Sequence, residues 1–398
     1  MTFEIAQLCD IDVDVIDGDR GKNYPHQDEL LESGYCLFLS AKNVTQNGFL
    51  FADNQFITQE KDGLLNNGKL NRGDIVITTR GTVGNVAIYS DDVPYRNIRI
   101  NSGMLIIRCG ENIDNYYLYQ VLRSKWFYNQ ILSIQSGSAQ PQLPKSHFLK
   151  MTIPMPDIDT QHKIAIILSG IGDKINVNTA INENLHQLIA AYYAEIFKDC
   201  EYSATISDYA DRVFSGGTPT TSNESYWNGS FKWLSSGETS QRFIVDTEKT
   251  ITQEGVDNSS TRLASKYNTV IASAGQGHTR GQASMLLTDS YVNQSIIVVD
   301  SEKIYMPFIY WNLCGRYEEL RVISNSNSIR GSLTTKMISS FSSPKADIAL
   351  ISKFSDLAWS AIYEIEKNCN EIIRLTTLRD TLLPKLMNGE IDVSAVKI

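Results

Sequence analysis

Gly63 to Lys69, GLLNNGK, has the glycine and lysine spacing of a loop that wraps phosphates. Chemistry there would need a Ser or Thr after the lysine to reach Mg²⁺, and Leu70 stands in that place. No apolar strand precedes the segment, so nucleotide binding there is not expected. Gly275 to Gly281, GQGHTRG, approximates a dinucleotide-binding turn, but its third glycine comes one residue late. It follows a β-branched run, so a turn between strands accounts for it better.

Other reactions leave marks that this sequence lacks. A common amino-methyltransferase site needs Asn or Asp before Pro-Pro and an aromatic, and none of the ten prolines are adjacent. A common restriction-type nuclease needs an acidic residue two before a lysine, and no lysine here has one. His26, His147, His162, His186 and His278 show no zinc-ligand spacing, so no metal is expected. Cys9, Cys36, Cys109, Cys200, Cys314 and Cys369 are scattered without a C-x-x-C pair, which favours reduced, buried thiols over disulfides. The net charge of −9 argues against a broad nucleic-acid surface, although a local patch or a partner can supply cations. The first residues read neither as a signal peptide nor as an anchor, and no unbroken apolar run approaches the roughly 18–20 residues of a membrane span. A cytoplasmic protein without a membrane partner is expected.

The positioning elements repeat. The chain of 398 residues allows about two or three domains. Ile5, Leu8 and Asp10 match Ile206, Tyr209 and Asp211. Gly73 to Tyr89, GDIVITTRGTVGNVAIY, matches Asn268 to Leu286, with Val76-Ile77 against Val270-Ile271, Gly81 against Gly275 and Gly84 against Gly281. Both read as strand–turn–strand. Asn101 in INSGMLIIR matches Asn293 in VNQSIIVV. Each copy then has a polar loop, Gln135 to Lys145 and Ser324 to Lys336, and reaches a proline, Pro156 or Pro344, before turning helical.

The two helical stretches carry apolar residues at steps of three and four. Ile164, Leu168, Ile171, Ile175, Leu185 and Tyr192 mark the first seam, together with Ile181, Leu188 and Ile196. Ile351, Ala358, Ile365, Ile372 and Leu382 mark the second, together with Leu375 and Leu378. Forty residues make a helix of roughly 60 Å. Asn388-Gly389 should cap the second helix, and Pro384 should kink or end it. The expected fold is α+β: two similar mixed modules at 1–156 and 200–344, long helices at 157–199 and 345–389, and a tail at 390–398. The helices would pair as an antiparallel coiled coil with a module at each end.

The repeat and several phrases resemble the specificity subunit of Type I restriction–modification systems. LRDTLLPKLMNGEI, from Leu378, is similar to the family's usual ending; SGGTPTTSNESYWNG, from Ser215, to the opening of its target recognition domains; and PMPDIDTQHKIAIILSGIGDKI, from Pro154, to its first spacer helix. The first module departs, with Asp17 to Pro25, DGDRGKNYP, in place of Gly-Gly-Thr-Pro. The resemblance implies two different recognition domains, each reading half of a bipartite, asymmetric site in double-stranded DNA, with the helices fixing the gap. It implies two methylation subunits and motor–nuclease restriction subunits as partners. It implies no chemistry and no cofactor in this chain; S-adenosylmethionine, ATP and Mg²⁺ would sit on the partners. A protein-interaction scaffold that never reads DNA, or an enzyme with an unrecognised site, are the competing readings.

Arg on guanine and Asn or Gln on adenine are the efficient base pairings, while phosphate contacts set register. Base-reading candidates beside the glycine turns are Arg80, Thr82, Gln140 and Gln142 in the first module, and Gln276, His278, Arg280 and Arg330 in the second. Phosphate candidates are Lys22, Arg96, Arg99, Lys145, Lys232 and Lys336. Tyr226, Trp227 and Trp233 could stack on bases, but fit a core equally well.

Overall fold

The computed structural model describes residues 3–135, 142–274, 277–325 and 331–396. It divides into two compact units, Met1–Lys174 with Arg374–Ile398, and Ile175–Ile373.

In the first unit, β-branched runs form a four-stranded antiparallel sheet in the order Val13–Asp17, Met104–Cys109, Ile75–Thr78, Val86–Ile88. Side chains alternate across a strand, and here both faces are buried. Ile75, Ile77, Val86, Leu105 and Ile107 join one core with Tyr117, Leu118, Val121 and Leu122 of the helix Asn115–Arg123. Val76, Ala87, Met104 and Ile106 join another with Leu37, Leu39, Ile98 and Ile100. The latter residues belong to a second sheet, in which Cys36–Leu39 runs antiparallel to Phe56–Ile57 and parallel to Ile98–Ile100.

The second unit repeats this plan. Arg212–Ser215, Ile296–Asp300, Thr269–Ala272 and Ala283–Leu286 form the equivalent sheet, extended by Phe243–Ile244, which has no counterpart in the first unit's sheet. Trp227–Leu234 runs antiparallel to Lys249–Ile251 and parallel to Ser290–Val292. Trp233 is buried, with Trp227 packed edge-on at 5.0 Å, so both indoles serve packing. The unlike openings also coincide. A side chain on Gly18 would come within 2.1 Å of the Asn101 carbonyl oxygen, and one on Gly216 within 2.0 Å of that of Val292. The missing Gly-Gly-Thr-Pro therefore hides a shared requirement for close backbone approach.

The long helices are Ile158–Ile196 and Ile348–Met387. In the first unit Ile164, Ala165 and Leu168, from the start of one, share a core with Leu383, Leu386 and Met387, from the end of the other. In the second unit Ile189, Tyr193 and Phe197, near the end of the first helix, share a core with Ile351, Phe354, Ala358, Ile362 and Ile365. The pairing is antiparallel. All eleven expected seam residues, from Ile164 to Leu382, are buried or half-buried. Three further positions need correction: Ile181, Leu188 and Leu378 are exposed, and Ile189 takes the inward place beside Leu188. A seam at strict three-four steps drifts on a long helix, because 3.6 residues per turn matches neither step.

Polar side chains interrupt the seam. Asn178 is buried and donates to Glu371 Oε2 at 2.8 Å, and Asn368 donates to Asn182 Oδ1 at 2.9 Å. Pro384 does not end the second helix, which runs on to Met387; Gly389, at φ +69°, lies just beyond. Proline's missing N–H withdraws one bond, and the packing of Leu383, Leu386 and Met387 carries the helix past it. Val393 in the following segment is buried in that same core. The first helix also contains an 18-residue window of mean hydropathy 1.2. By length and composition alone this helix could cross a membrane, although no unbroken apolar run of that length is present. The window's mean is carried by its isoleucines, which polar residues interrupt.

Candidate nucleic-acid interface

Each unit builds one rim from the turn after its central strand. In the first unit Gly84, at φ +93°, donates its N–H to the Thr78 carbonyl at 2.9 Å and closes the turn. In the second, Gly281, at φ +84°, donates to Ala272 at 2.9 Å. Both positions need the left-handed backbone that glycine adopts freely. Behind the turn, Thr79 N–H donates to the Gly103 carbonyl at 2.7 Å and Ser273 N–H to that of Ser295 at 2.8 Å. Asn101 and Asn293 pin those partner loops, accepting from the N–H two residues on, both at 2.9 Å.

The polar loops return to the same edge. Leu143 N–H donates to Thr79 at 3.0 Å, and Leu333 N–H to Ser273 at 2.8 Å. This sets Gln142 across from Arg80, and Ser332 across from Ala274. Arg80, Thr82 and Gln142 are exposed, and the bridge brings Arg80 and Gln142 together. His278 is also exposed, on a turn held by Tyr317 Oη, which donates to the His278 carbonyl at 2.7 Å, and by Arg321, which donates to that of Gly277 at 2.8 Å. Gln140, Gln276 and Arg330 lie outside the described residues.

Arg280 departs from expectation. It is 5% exposed, donates to Asn325 Oδ1 at 2.5 Å, and packs over Gly331, which sits at φ +65°. Its guanidinium ties the loop ends together and does not reach outward.

Arg99 also needs correction as a phosphate ligand. It is 5% exposed and directs Nε to Asp62 Oδ1 at 2.5 Å, Nη1 to the Asn67 carbonyl at 2.7 Å, and Nη2 to the carbonyls of Asp62 and Leu65 at 2.9 and 3.1 Å. Burial pushes the Asp62 carboxyl up, but hydrogen bonds from Lys69 and Arg99 outweigh it and hold it below the usual range. Lys69, the lysine of GLLNNGK, donates to Asp62 Oδ2 at 2.5 Å, so its ammonium serves the fold. Lys232 is half-buried and donates to the Val245 carbonyl at 2.8 Å. Lys22, Arg96 and Lys336 are exposed or half-exposed, and Lys145 is half-buried at the start of a short helix.

Sequence reading missed one side chain on this edge. Ala41 lies 3.7 Å from where a Gly81 side chain would begin, which brings exposed Lys42 to the Arg80 turn. The signal was a repeated cap. Ser40 donates its backbone N–H to Asn43 Oδ1 at 2.9 Å, and Ser235 to Glu238 Oε2 at 2.8 Å, each opening a short helix beside the turn. A repeated tetrapeptide, Ile57-Thr58-Gln59-Glu60 and Ile251-Thr252-Gln253-Glu254, was missed too. Thr58 and Thr252 cap equivalent helices, each accepting an N–H at 3.1 Å.

Residues 1–187 match the family model described as the Type I restriction modification DNA specificity domain. The match spans the first module and most of the first long helix. Along nearly its whole length the chain resembles Type I specificity subunits. It is 23% identical over 350 residues to the Type I restriction enzyme MjaIX specificity subunit of Methanocaldococcus jannaschii, covering 81% of this chain and 78% of the relative. It is 21% identical over 462 residues to the HindI specificity subunit of Haemophilus influenzae, covering 94% and 98%. Its fold matches the S subunit of a Type I restriction–modification system from M. genitalium, with a TM-score of 0.60 at 16% identity over 97% and 96% of the two chains.

Proposed function

We propose that this chain is a non-catalytic DNA-reading subunit whose two rims each read one half of a bipartite, asymmetric site. One observation carries the reading. The two units hold equivalent backbone rims that present different side chains: Arg80 opposite Gln142 in one, Ala274 opposite Ser332 in the other. A scaffold has no need to repeat a frame so closely while varying only its outward groups. Arg80 suits guanine and Gln142 suits adenine, while Lys22, Lys42, Arg96, Lys145 and Lys336 set register on phosphates. The net charge of −9 leaves further neutralisation to partners.

In this reading two methylation subunits and motor–nuclease subunits assemble on the chain in the cytoplasm, and they hold the S-adenosylmethionine, ATP and Mg²⁺. The length of the paired helices sets the gap between half-sites. The test is methylome sequencing of cells that carry this chain with its methylation partner. Arg80→Ala should relax one half-site by about 1–3 kcal/mol per contacted base and leave the other unchanged. Four residues inserted after Thr179 should lengthen the gap. A methylated motif indifferent to both changes would overturn the proposal.

A further inference from the structure

Behind the Gly84 turn, the first unit holds a cavity of about 540 Å³ between the end of the helix Asn115–Arg123, the start of the helix Lys125–Gln135, and the last turns of the second long helix. That volume is in the range of small-molecule sites, roughly 300–1,000 Å³. Its floor is apolar, with Leu383, Pro384 and Met387.

Gln120 lines this cavity and is only 5% exposed. Among the described residues its side-chain amide has no hydrogen-bond partner, yet neither amide atom is sealed from solvent. A nearly buried amide left open to a cavity is an unmet donor and an unmet acceptor side by side.

The remaining wall attracts anions. Arg123 is anchored by donating Nη2 to the Gln46 carbonyl at 2.8 Å and by stacking 4.9 Å over Tyr119. Lys125 is exposed beside it. The N–H groups of Lys125 and Trp126 lie in the first turn of an 11-residue helix, where no helical carbonyl serves them. That turn favours phosphate. Arg379 is less available, because Asp380 pairs with it at 2.9 Å. Trp126 and Tyr128 stand 40% and 42% exposed at the mouth of the cavity, wide enough to face a planar ring.

We propose that this cavity binds an adenine nucleotide. The Gln120 amide takes the base's amino group and adjacent ring nitrogen, the donor–acceptor pattern that an amide matches. Arg123, Lys125 and the helix start take the phosphate, and Trp126 or Tyr128 covers the base. Gly84 and Asn85 of the rim turn also line the cavity, so the test is run without DNA to keep it separate from the DNA-reading proposal.

The test is calorimetric titration of the full chain, without DNA, with AMP, GMP and inorganic phosphate. AMP should bind at least about tenfold more tightly than GMP or phosphate, the loss expected for one unmet hydrogen-bonding edge. Gln120→Leu should abolish that preference and keep phosphate affinity. Lys125→Ala, an exposed change that leaves folding intact, should weaken AMP and phosphate alike. Phosphate binding as well as AMP, AMP binding unchanged by Gln120→Leu and Lys125→Ala, or no AMP binding at millimolar concentration would each overturn the proposal.

Discussion

Replacing Arg99 by Met separates two roles for one cation. In the structure its guanidinium is spent on a carboxylate and three carbonyls, and both charged side chains of the Arg99–Asp62 pair are 6% exposed. Breaking a buried pair from one side costs about 3–5 kcal/mol, because the partner charge stays buried. Lys69, 41% exposed, still reaches Asp62, so Arg99→Met should fall towards the lower figure and Asp62→Ala towards the higher. Asp62→Leu combined with Arg99→Met should recover most of the loss, since neither charge then lacks its partner. Urea unfolding of each variant gives these differences. Acid should act like Asp62→Ala: the carboxyl is held below its unfolded value, so its contribution is present above the unfolded value and is lost as pH falls through the lower folded one. DNA binding supplies the second readout. A phosphate ligand contributes about 0.9 to the slope of log affinity against log salt, and Arg99→Met should leave that slope unchanged once the variant is folded. A loss under about 1 kcal/mol together with a slope reduced by about 0.9 would refute the structural role and restore Arg99 to the phosphate contacts.

Two further outcomes follow from the second unit. Burial, reinforced by the charge of Arg242, pushes His186 down to about 4, among Phe243, Tyr310 and Trp311. Its stabilising effect is complete above about 6.5 and is lost as pH falls from there through about 4, a total near 3 kcal/mol; His186→Phe should flatten urea stability across that window, and an unchanged profile would remove His186 as the cause. Replacing Asn182 and Asn368 together by Leu should raise the stability of the helix pair by about 1–4 kcal/mol but admit a second register. Spin labels on exposed Asn184 and Lys367 should then report a second distance shifted by about 5 Å, one helical turn; a single unshifted distance would show that the asparagines do not set register.

Much of the frame was legible because it repeats. Gly84 and Gly281 share one backbone demand, and Asn101 and Asn293 share one hydrogen bond, so their spacing survives where their neighbours differ. Burial of single charges was less legible. Arg99 lies in a strand, where alternation allows either face, and only the fold reveals that Asp62, 37 residues earlier, comes to meet it. Arg280 reads as a loop cation beside glycines, yet Gly331 lets the chain close over it. The cavity was invisible for the same reason. Gln120 sits in a helix whose apolar neighbours give no sign that its amide opens onto space shaped by residues more than 250 positions later.

The internal repeat separates structure from readout. A residue that must hold a strand, cap a helix or bend a turn has to reappear in both units, because both build the same frame. Thr58 and Thr252 do so, as do Ser40 and Ser235. A residue that reads a base is free to differ, and must differ if the two halves of the site are unlike. Arg80 standing where Ala274 stands is therefore more informative than any residue the two units share. By this reasoning, exchanging rim residues between units should transfer base preference without unfolding either frame, whereas exchanging Thr58 or Gly84 for unrelated residues should destabilise the frame before it alters the sequence read.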